Sequence, residues 1–278
     1  MEIFDKNRER EKYTFANINL LGKCNANCYF CLGKDIDELL TLHNQIDTHF
    51  LEWENFDAFL DMCREKEITK IYITGQNVDS LQYKFLAQLI IFLKNRSFTV
   101  GLRTNGYLAE KKMDIIQLCD DEIGYSINAL NPESNKAIMG RSDLPNWDYI
   151  LTNTPNSRVS IVVNHYNIDE FKDIIKLAGN YPNVSYVQAR RISTDTRQEE
   201  LSFDIHLYEV LYQMIKREYP KLRDFYAAEI FNIYGVEVCF WRTVQTTVNS
   251  INYFTDGTLS GEYFIVEGYK KNRNTSND

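Results

Sequence analysis

Leu21-Gly22-Lys23-Cys24-Asn25-Ala26-Asn27-Cys28-Tyr29-Phe30-Cys31 is the stretch whose reading decides the rest of the chain. Its cysteines stand at a C-x3-C-x2-C spacing, so a single loop can bring three thiolates to one centre. Soft sulfur ligands select zinc, copper(I) or an iron–sulfur cluster. A structural zinc asks for four protein ligands, whereas a cubane cluster held by three cysteines keeps one iron open. A zinc site and an oxidised disulfide pair remain the alternatives at this point.

Outward from the loop, the residues before it, Thr14 to Leu21, alternate in period two and read as a strand. Downstream, strand patterns fall at Lys70–Thr74, Phe98–Arg103, Glu122–Asn128, Arg158–Asn164 and Ser185–Ile192. Between and after them lie helical patterns at Asn55–Lys66, Ser80–Lys94, Ala109–Cys119, Ile168–Ala178 and Asp204–Glu218, with shorter pieces near Pro132–Ile138 and Trp147–Leu151. A further helical signal runs from Ile36 to Leu42. Strand and helix alternate at the spacing of βαβ units, which build a parallel sheet with right-handed crossovers. Six repeats suit an α/β fold of the incomplete (β/α)6 parallel-barrel kind better than a closed eight-fold barrel. No G-x-G-x-x-G, P-loop, H-E-x-x-H or G-x-S-x-G is present, and the four histidines are scattered.

Alternation within the strands says what such a barrel would contain. The face that receives the helices must be apolar. Ile123, Tyr125, Ile127, Val159, Ile161, Val163, Val187, Ala189, Val100 and Leu102 then point outward. That leaves Asn17, Asn19, Arg103, Asn105, Gly124, Ser126, Asn128, Ser160, Asn164, Tyr186, Gln188 and Arg190 inside. A barrel packed only with itself uses Val, Ile and Leu layers. Buried polar groups need partners, and a large polar ligand supplies them. The alternative is a sheet whose polar face meets water.

Composition sets the limits. A chain of 278 residues, 44% hydrophobic and 25% charged, is long enough to bury a sizeable core and reads as ordinary globular protein. A net charge of −8 argues against a nucleic-acid footprint, which needs clustered Lys and Arg. The first fourteen residues are too charged for a secretory signal, and no apolar run spans a bilayer, so a cytoplasmic setting without membrane contact is expected. Residues 14–218 read as the core and 219–269 as a small β-rich C-terminal extension closing the barrel. Asp256-Gly257 marks a tight hairpin turn in that extension, and 270–278 is expected to be a disordered tail.

The cysteine loop, with Phe30 at the aromatic position before Cys31, resembles the C-x3-C-x-aromatic-C hallmark of the radical S-adenosylmethionine (SAM) superfamily. The resemblance implies a [4Fe–4S] cluster on Cys24, Cys28 and Cys31. Its open iron would bind the amino and carboxylate groups of SAM, and reductive cleavage would give a 5′-deoxyadenosyl radical that takes hydrogen from a small-molecule or peptide substrate. Thr74-Gly75-Gln76 stands where the family has a Gly-Gly-Glu-like segment for the SAM amino group. It departs at the first glycine and at the glutamate, which leaves Gly75 its backbone role and puts a side-chain role for Gln76 in doubt. Ser126 and Asn128 resemble the ribose-binding positions of strand four, and Arg190 a partner for the methionyl carboxylate. The Thr104-Asn105-Gly106 turn is also familiar from the family. A reductase such as flavodoxin or ferredoxin would be the electron donor.

Many family members carry auxiliary clusters in a C-terminal extension. Only Cys239 follows Cys119 here, too few ligands for one. Cys239 resembles the hydrogen-donating cysteine of peptide epimerases in the family, but its apolar surroundings, Val236 to Trp241, read more readily as a packed strand in which a free cysteine is a small hydrophobe. A different class stays open beside the enzyme: a non-catalytic zinc or iron–sulfur protein that binds metal or senses redox state.

Overall fold

The structure, a computed structural model, describes residues 14–36, 42–194, 196–225, 228–242 and 250–261. Six strands run parallel in chain order: β1 (Phe15–Leu21), β2 (Lys70–Gln76), β3 (Thr99–Thr104), β4 (Ile123–Ser126), β5 (Ser157–Val162) and β6 (Val184–Arg190). Among and after them lie α1 (Phe56–Glu65), α2 (Leu86–Lys94), α3 (Met113–Ile116), α4 (Pro132–Met139), α5 (Trp147–Asn153), α6 (Phe171–Gly179) and α7 (Ser202–Glu218).

The C-terminal strands do not form a body of their own. β9 (Val236–Trp241) pairs parallel with β6, and β8 (Ala228–Ile233) and β7 (Lys221–Phe225) follow antiparallel. β10 (Ser250–Phe254) pairs parallel with β1 at the opposite edge, and β11 (Leu259–Ser260) folds back on it across the Asp256-Gly257 turn. The order β11-β10-β1-β2-β3-β4-β5-β6-β9-β8-β7 has two ends. Among the described residues no pairing joins them, so the extension widens the sheet on both sides without closing a hydrogen-bonded ring. The tail expected at 270–278, and most of the helical signal at Ile36–Leu42, lie outside the described residues.

The two faces sort largely as the alternation predicts, except that Asn19, Asn105, Asn128 and Asn164, expected to face inward, do not line the cavity. Val100, Leu102, Tyr125, Val159, Ile161 and Val187 are fully buried in one continuous core with the apolar faces of the helices. Residues of the other phase, from β1 through β6, surround a cavity of about 610 Å³, with Trp241 of β9 completing the wall. The sheet therefore curves around polar space.

Three local departures have physical causes. Ser80–Lys94 is not one helix: a 3-10 turn at Ser80–Gln82 precedes α2, and Tyr83 between them is extended. Asp79 caps that turn and Gln82 returns a bond to the Asp79 backbone, so this end serves a tight corner. Ala109–Cys119 splits likewise, into a 3-10 turn at Glu110–Lys112 and the single turn of α3. β4 ends at Ser126 because the side-chain oxygen of Asn128, not a backbone carbonyl, accepts the Val162 amide at 2.8 Å.

Candidate active site

β1 delivers the chain into the cysteine loop, and four separate elements then hold that loop by its backbone. Gln82 clamps it at one end: its Oε1 accepts from Asn25 N at 2.9 Å and its Nε2 donates to Lys23 O at 3.2 Å. The C-terminal end of α4 takes the middle, where the carbonyls of Met139 and Ile138 accept from Asn27 N (2.8 Å) and Tyr29 N (3.2 Å). That helix is well defined, with Asn131 capping two amides at its start and Gly140 ending it in the left-handed region. Arg141 donates to Asn25 O at 2.9 Å. Arg197 donates to Tyr29 O and Cys31 O, both at 2.7 Å.

The thiols within this frame have different neighbours. Cys24 Sγ accepts from Asn105 Nδ2 at 3.6 Å, Cys28 Sγ lies 3.3 Å from Met139 Sδ, and Cys31 Sγ lies 3.9 Å from Asn77 Oδ1. All six cysteines are free, so no disulfide competes for them. Burial pushes the Cys24 thiol up to about 12 and also raises Cys28 and Cys31. They become thiolates when a metal takes the proton's place. Among the described residues, no three His, Cys, Asp or Glu side chains converge on a single-ion site. Three soft thiol donors on one fixed loop are a donor set that an iron–sulfur cluster can use.

The other residues singled out in the sequence fall around this loop in different ways. Gly75 lies in β2, and a Cβ there would meet Val78 O at 1.9 Å, so no other residue fits its backbone. Gln76 is buried and directs Nε2 toward Asn19 Oδ1 at 3.5 Å. Ser126 and Arg190 line the cavity, as does Leu32, the residue after Cys31. The cavity therefore reaches up to the cysteine loop. Phe30 packs beside Ala129, Ile138 and Met139 and meets Tyr29 edge-on at 5.4 Å.

Of the SAM-binding and hydrogen-donor candidates, Ser126 and Arg190 line the cavity, whereas Phe30, Gly75, Gln76, Asn128 and Cys239 are not among its lining residues. Asn128 spends its amide on Val162 N and on Met139 Sδ, the latter at 3.4 Å. It links β5 to the end of α4 and is not among the cavity's lining residues. Cys239 is 1% exposed in an apolar cluster with Ala228, Ile230 and Trp241, and burial pushes its thiol up to about 12. Its neighbours Tyr186 and Trp241 reach the cavity; Cys239 does not.

Several residues that periodicity does not reveal complete the site. Asp79, buried, accepts from Thr104 Oγ1 (2.9 Å) and Asn105 N (2.6 Å), fixing the Thr104-Asn105-Gly106 turn so that Asn105 reaches Cys24 and Asn25. Asp204, in the first turn of α7, accepts from Tyr29 Oη at 2.7 Å and binds the His165 ring at 2.8 Å, tying the loop to that helix. At the far end of the cavity Arg103 and Arg158 converge on Glu122. Arg158 was legible in principle, since it stands two residues before the inward-facing Ser160. Asp79 and Arg197 carry no signal because they lie in connections.

Comparison with known proteins bears on the same loop and sheet. The sequence model of the radical SAM superfamily matches residues 18–178. A GTP 3′,8-cyclase of Syntrophomonas wolfei subsp. wolfei is 27% identical over 192 residues, covering 65% of this chain and 55% of that protein. An S-adenosylmethionine-dependent nucleotide dehydratase of a Thermoplasmatales archaeon is 30% identical over 131 residues, covering 47% and 43%. The chain thus spans about half the length of the curated relatives it matches. In fold it is similar to Streptococcus suis SuiB, with a TM-score of 0.59 at 11% identity over 90% of this chain and 60% of that one. SuiB structures with S-adenosylmethionine and with the precursor peptide SuiA superpose at 0.56 and 0.59, also at 11% identity. No helix among the described residues is long and apolar enough to cross a membrane. A superfamily match over more than half of the chain, beginning in β1 and spanning the three-cysteine loop, makes the protein a member of the radical SAM superfamily.

Proposed function

We propose that the chain binds SAM at the upper end of an incomplete barrel and uses it to take a hydrogen atom from a small-molecule or peptide substrate held below. The observation that carries this reading is one of position. A cavity of about 610 Å³ with many polar lining residues, within the range of ligand-binding cavities, reaches Leu32, the residue that follows Cys31 of the three-cysteine loop. A structural zinc or a redox-sensing cluster has no need of such space.

Cys24, Cys28 and Cys31 would hold a [4Fe–4S] cluster. When bound, that group supplies the electron that splits SAM into methionine and a 5′-deoxyadenosyl radical. The chain's own residues do the rest. The backbone at Gly75 receives the SAM amino group, Ser126 a ribose hydroxyl, and Arg190 the methionyl carboxylate through its guanidinium fork. Phe30 shields the loop, and Gln82, Arg141 and Arg197 keep its backbone fixed while substrates exchange. A reductase such as flavodoxin or ferredoxin would deliver the electron. Nucleotide chemistry in the names of the two curated relatives supports a small molecule as substrate.

Anaerobically reconstituted protein, given SAM and dithionite, is expected to release methionine and 5′-deoxyadenosine in equal amounts. Intact SAM after reduction, in a preparation with full iron content, would remove this reading.

A further inference from the structure

The far end of the cavity is built around two arginines. Arg158 Nε lies 2.7 Å and Arg103 Nη1 3.2 Å from the same oxygen, Oε1 of Glu122. Arg158 Nη1 also donates to Gln188 Oε1 at 2.8 Å, and the Arg103 guanidinium lies over the Tyr72 ring at 4.1 Å. Both guanidiniums flank Gly124. A Cβ at that position would stand 2.7 Å from Arg103 Cδ and 3.2 Å from both Arg103 Nη1 and Arg158 Nη2. The sheet gives up a side chain in β4 so that two cations can share one patch of wall.

Cohesion alone does not ask for this arrangement. One guanidinium satisfies one carboxylate, and a second brings like-charge repulsion in a poorly screened place. Burial first, and then Arg158, lower the pKa of Arg103, the signature of that repulsion. Yet 26% of the Arg103 side-chain surface remains open, against 8% for Arg158, and Arg103 lines the cavity. In a chain of net charge −8, the charged residues around the cavity among those described are Lys70, Arg103, Arg158 and Arg190 against Glu122 alone. Lys70 has Asp121 at 3.2 Å, and Arg190 sits at the upper end. With Asp121 counted, one unit of excess lies at the Arg103–Arg158 end and one at Arg190.

We propose that Arg103 and Arg158 form an oxyanion subsite, so that the substrate is a small molecule with a phosphate or carboxylate group held at this end of the cavity, away from the cysteine loop. The assignment rests on the enzyme reading above and deepens it. Two planar forks match the oxygens of either anion. Tyr72 and Tyr186 also line this part of the cavity, with the Arg103 guanidinium over the Tyr72 ring and that of Arg158 6.0 Å from the Tyr186 ring. Glu122 holds the two guanidiniums in place and also competes with the incoming anion.

The test is calorimetric titration of the reconstituted enzyme, saturated with SAM and left unreduced. Inorganic pyrophosphate is the phosphate probe and succinate the carboxylate probe. Saturable binding of either supports the subsite, and the tighter of the two names the anion. Arg103→Gln is expected to weaken that binding about tenfold or more. Glu122→Gln is expected to strengthen it, an inversion that a merely structural ion pair would not give. If Glu122→Gln folds poorly alone, its thermal midpoint is expected to rise with pyrophosphate more than that of the wild type. Failure of both probes to bind wild-type enzyme at millimolar concentration, or equal binding to wild type and Arg103→Gln, would overturn the proposal. SAM cleavage on reduction of the same preparation is scored separately, so failure of the subsite is distinguishable from failure of the enzyme reading.

Discussion

Arg197 Nε lies 2.9 Å from Asp35 Oδ1, a carboxylate with no exposed side-chain surface, while the rest of the same guanidinium holds the backbone of the cysteine loop. One side chain thus joins the segment after β6 to both ends of the Tyr29–Cys31 turn. Charge and geometry both matter here, because only a planar fork reaches a carboxylate and two carbonyls at once.

Removing that fork leaves a buried carboxylate without this cation and two loop carbonyls without their donor. Arg197→Ala is expected to cost about 3 kcal/mol of stability and to lower the iron retained after reconstitution. Arg197→Lys is expected to recover only part of each. Urea unfolding with iron analysis of the folded fraction checks both, and an unchanged midpoint and iron content in Arg197→Ala would contradict this role.

Much of this was legible from alternation alone. Val159, Ile161 and Val187 against Ser160 and Gln188 set the covered face and the cavity face, because a covered parallel sheet admits one apolar phase toward its helices. Asn128 broke the pattern: it lies past the end of β4, where its side chain replaces a ladder bond, and period two no longer says where it points. The capping box at Asp79 and Gln82 marks a helical start there without saying that the helix breaks at Tyr83, and the Gln82 clamp on Asn25, which spans 57 positions, leaves no local pattern. The Arg197–Asp35 pair spans 162, and no local pattern records a contact of that length.

SAM binding separates wall residues from framework residues. Arg190→Ala is expected to weaken SAM binding by about 1–3 kcal/mol with the cluster spectrum intact. Gly75→Ala is expected to abolish binding, since its Cβ would displace Val78 O. Equilibrium dialysis with labelled SAM measures both, and wild-type affinity in Arg190→Ala would assign that guanidinium to another ligand.

Cys239 is enclosed by Ala228, Ile230 and Trp241 and stands off the cavity wall. Cys239→Ala is therefore expected to give the same product as wild type and to lose about 1 kcal/mol of stability from the small void. Normal SAM cleavage with a stalled or diverted substrate reaction would instead make this thiol the hydrogen donor.

Acid stability is expected to depend on Glu229. Burial acts to raise its pKa, but hydrogen bonds from Tyr212, Lys221 and Lys216 outweigh it and hold the carboxyl at about 2, below its ordinary 4.5. A depressed carboxylate stabilises the fold above its unfolded pKa and loses that contribution as pH falls through the folded one. Stability is thus expected to decline from about pH 4.5 toward about pH 2, with a shallower slope in Glu229→Gln. Superimposable acid-denaturation curves for the two proteins would contradict this assignment.

The claim that three thiols hold a cluster with one iron left for SAM is tested most directly by spectroscopy on anaerobically reconstituted wild type and Cys28→Ala. Wild type is expected to carry about four irons and four sulfides per chain, with a reduced-state electron paramagnetic resonance signal that changes shape when SAM is added. Cys28→Ala is expected to lose both the signal and SAM cleavage. A wild-type signal indifferent to SAM, or an intact SAM-responsive cluster in Cys28→Ala, would contradict it.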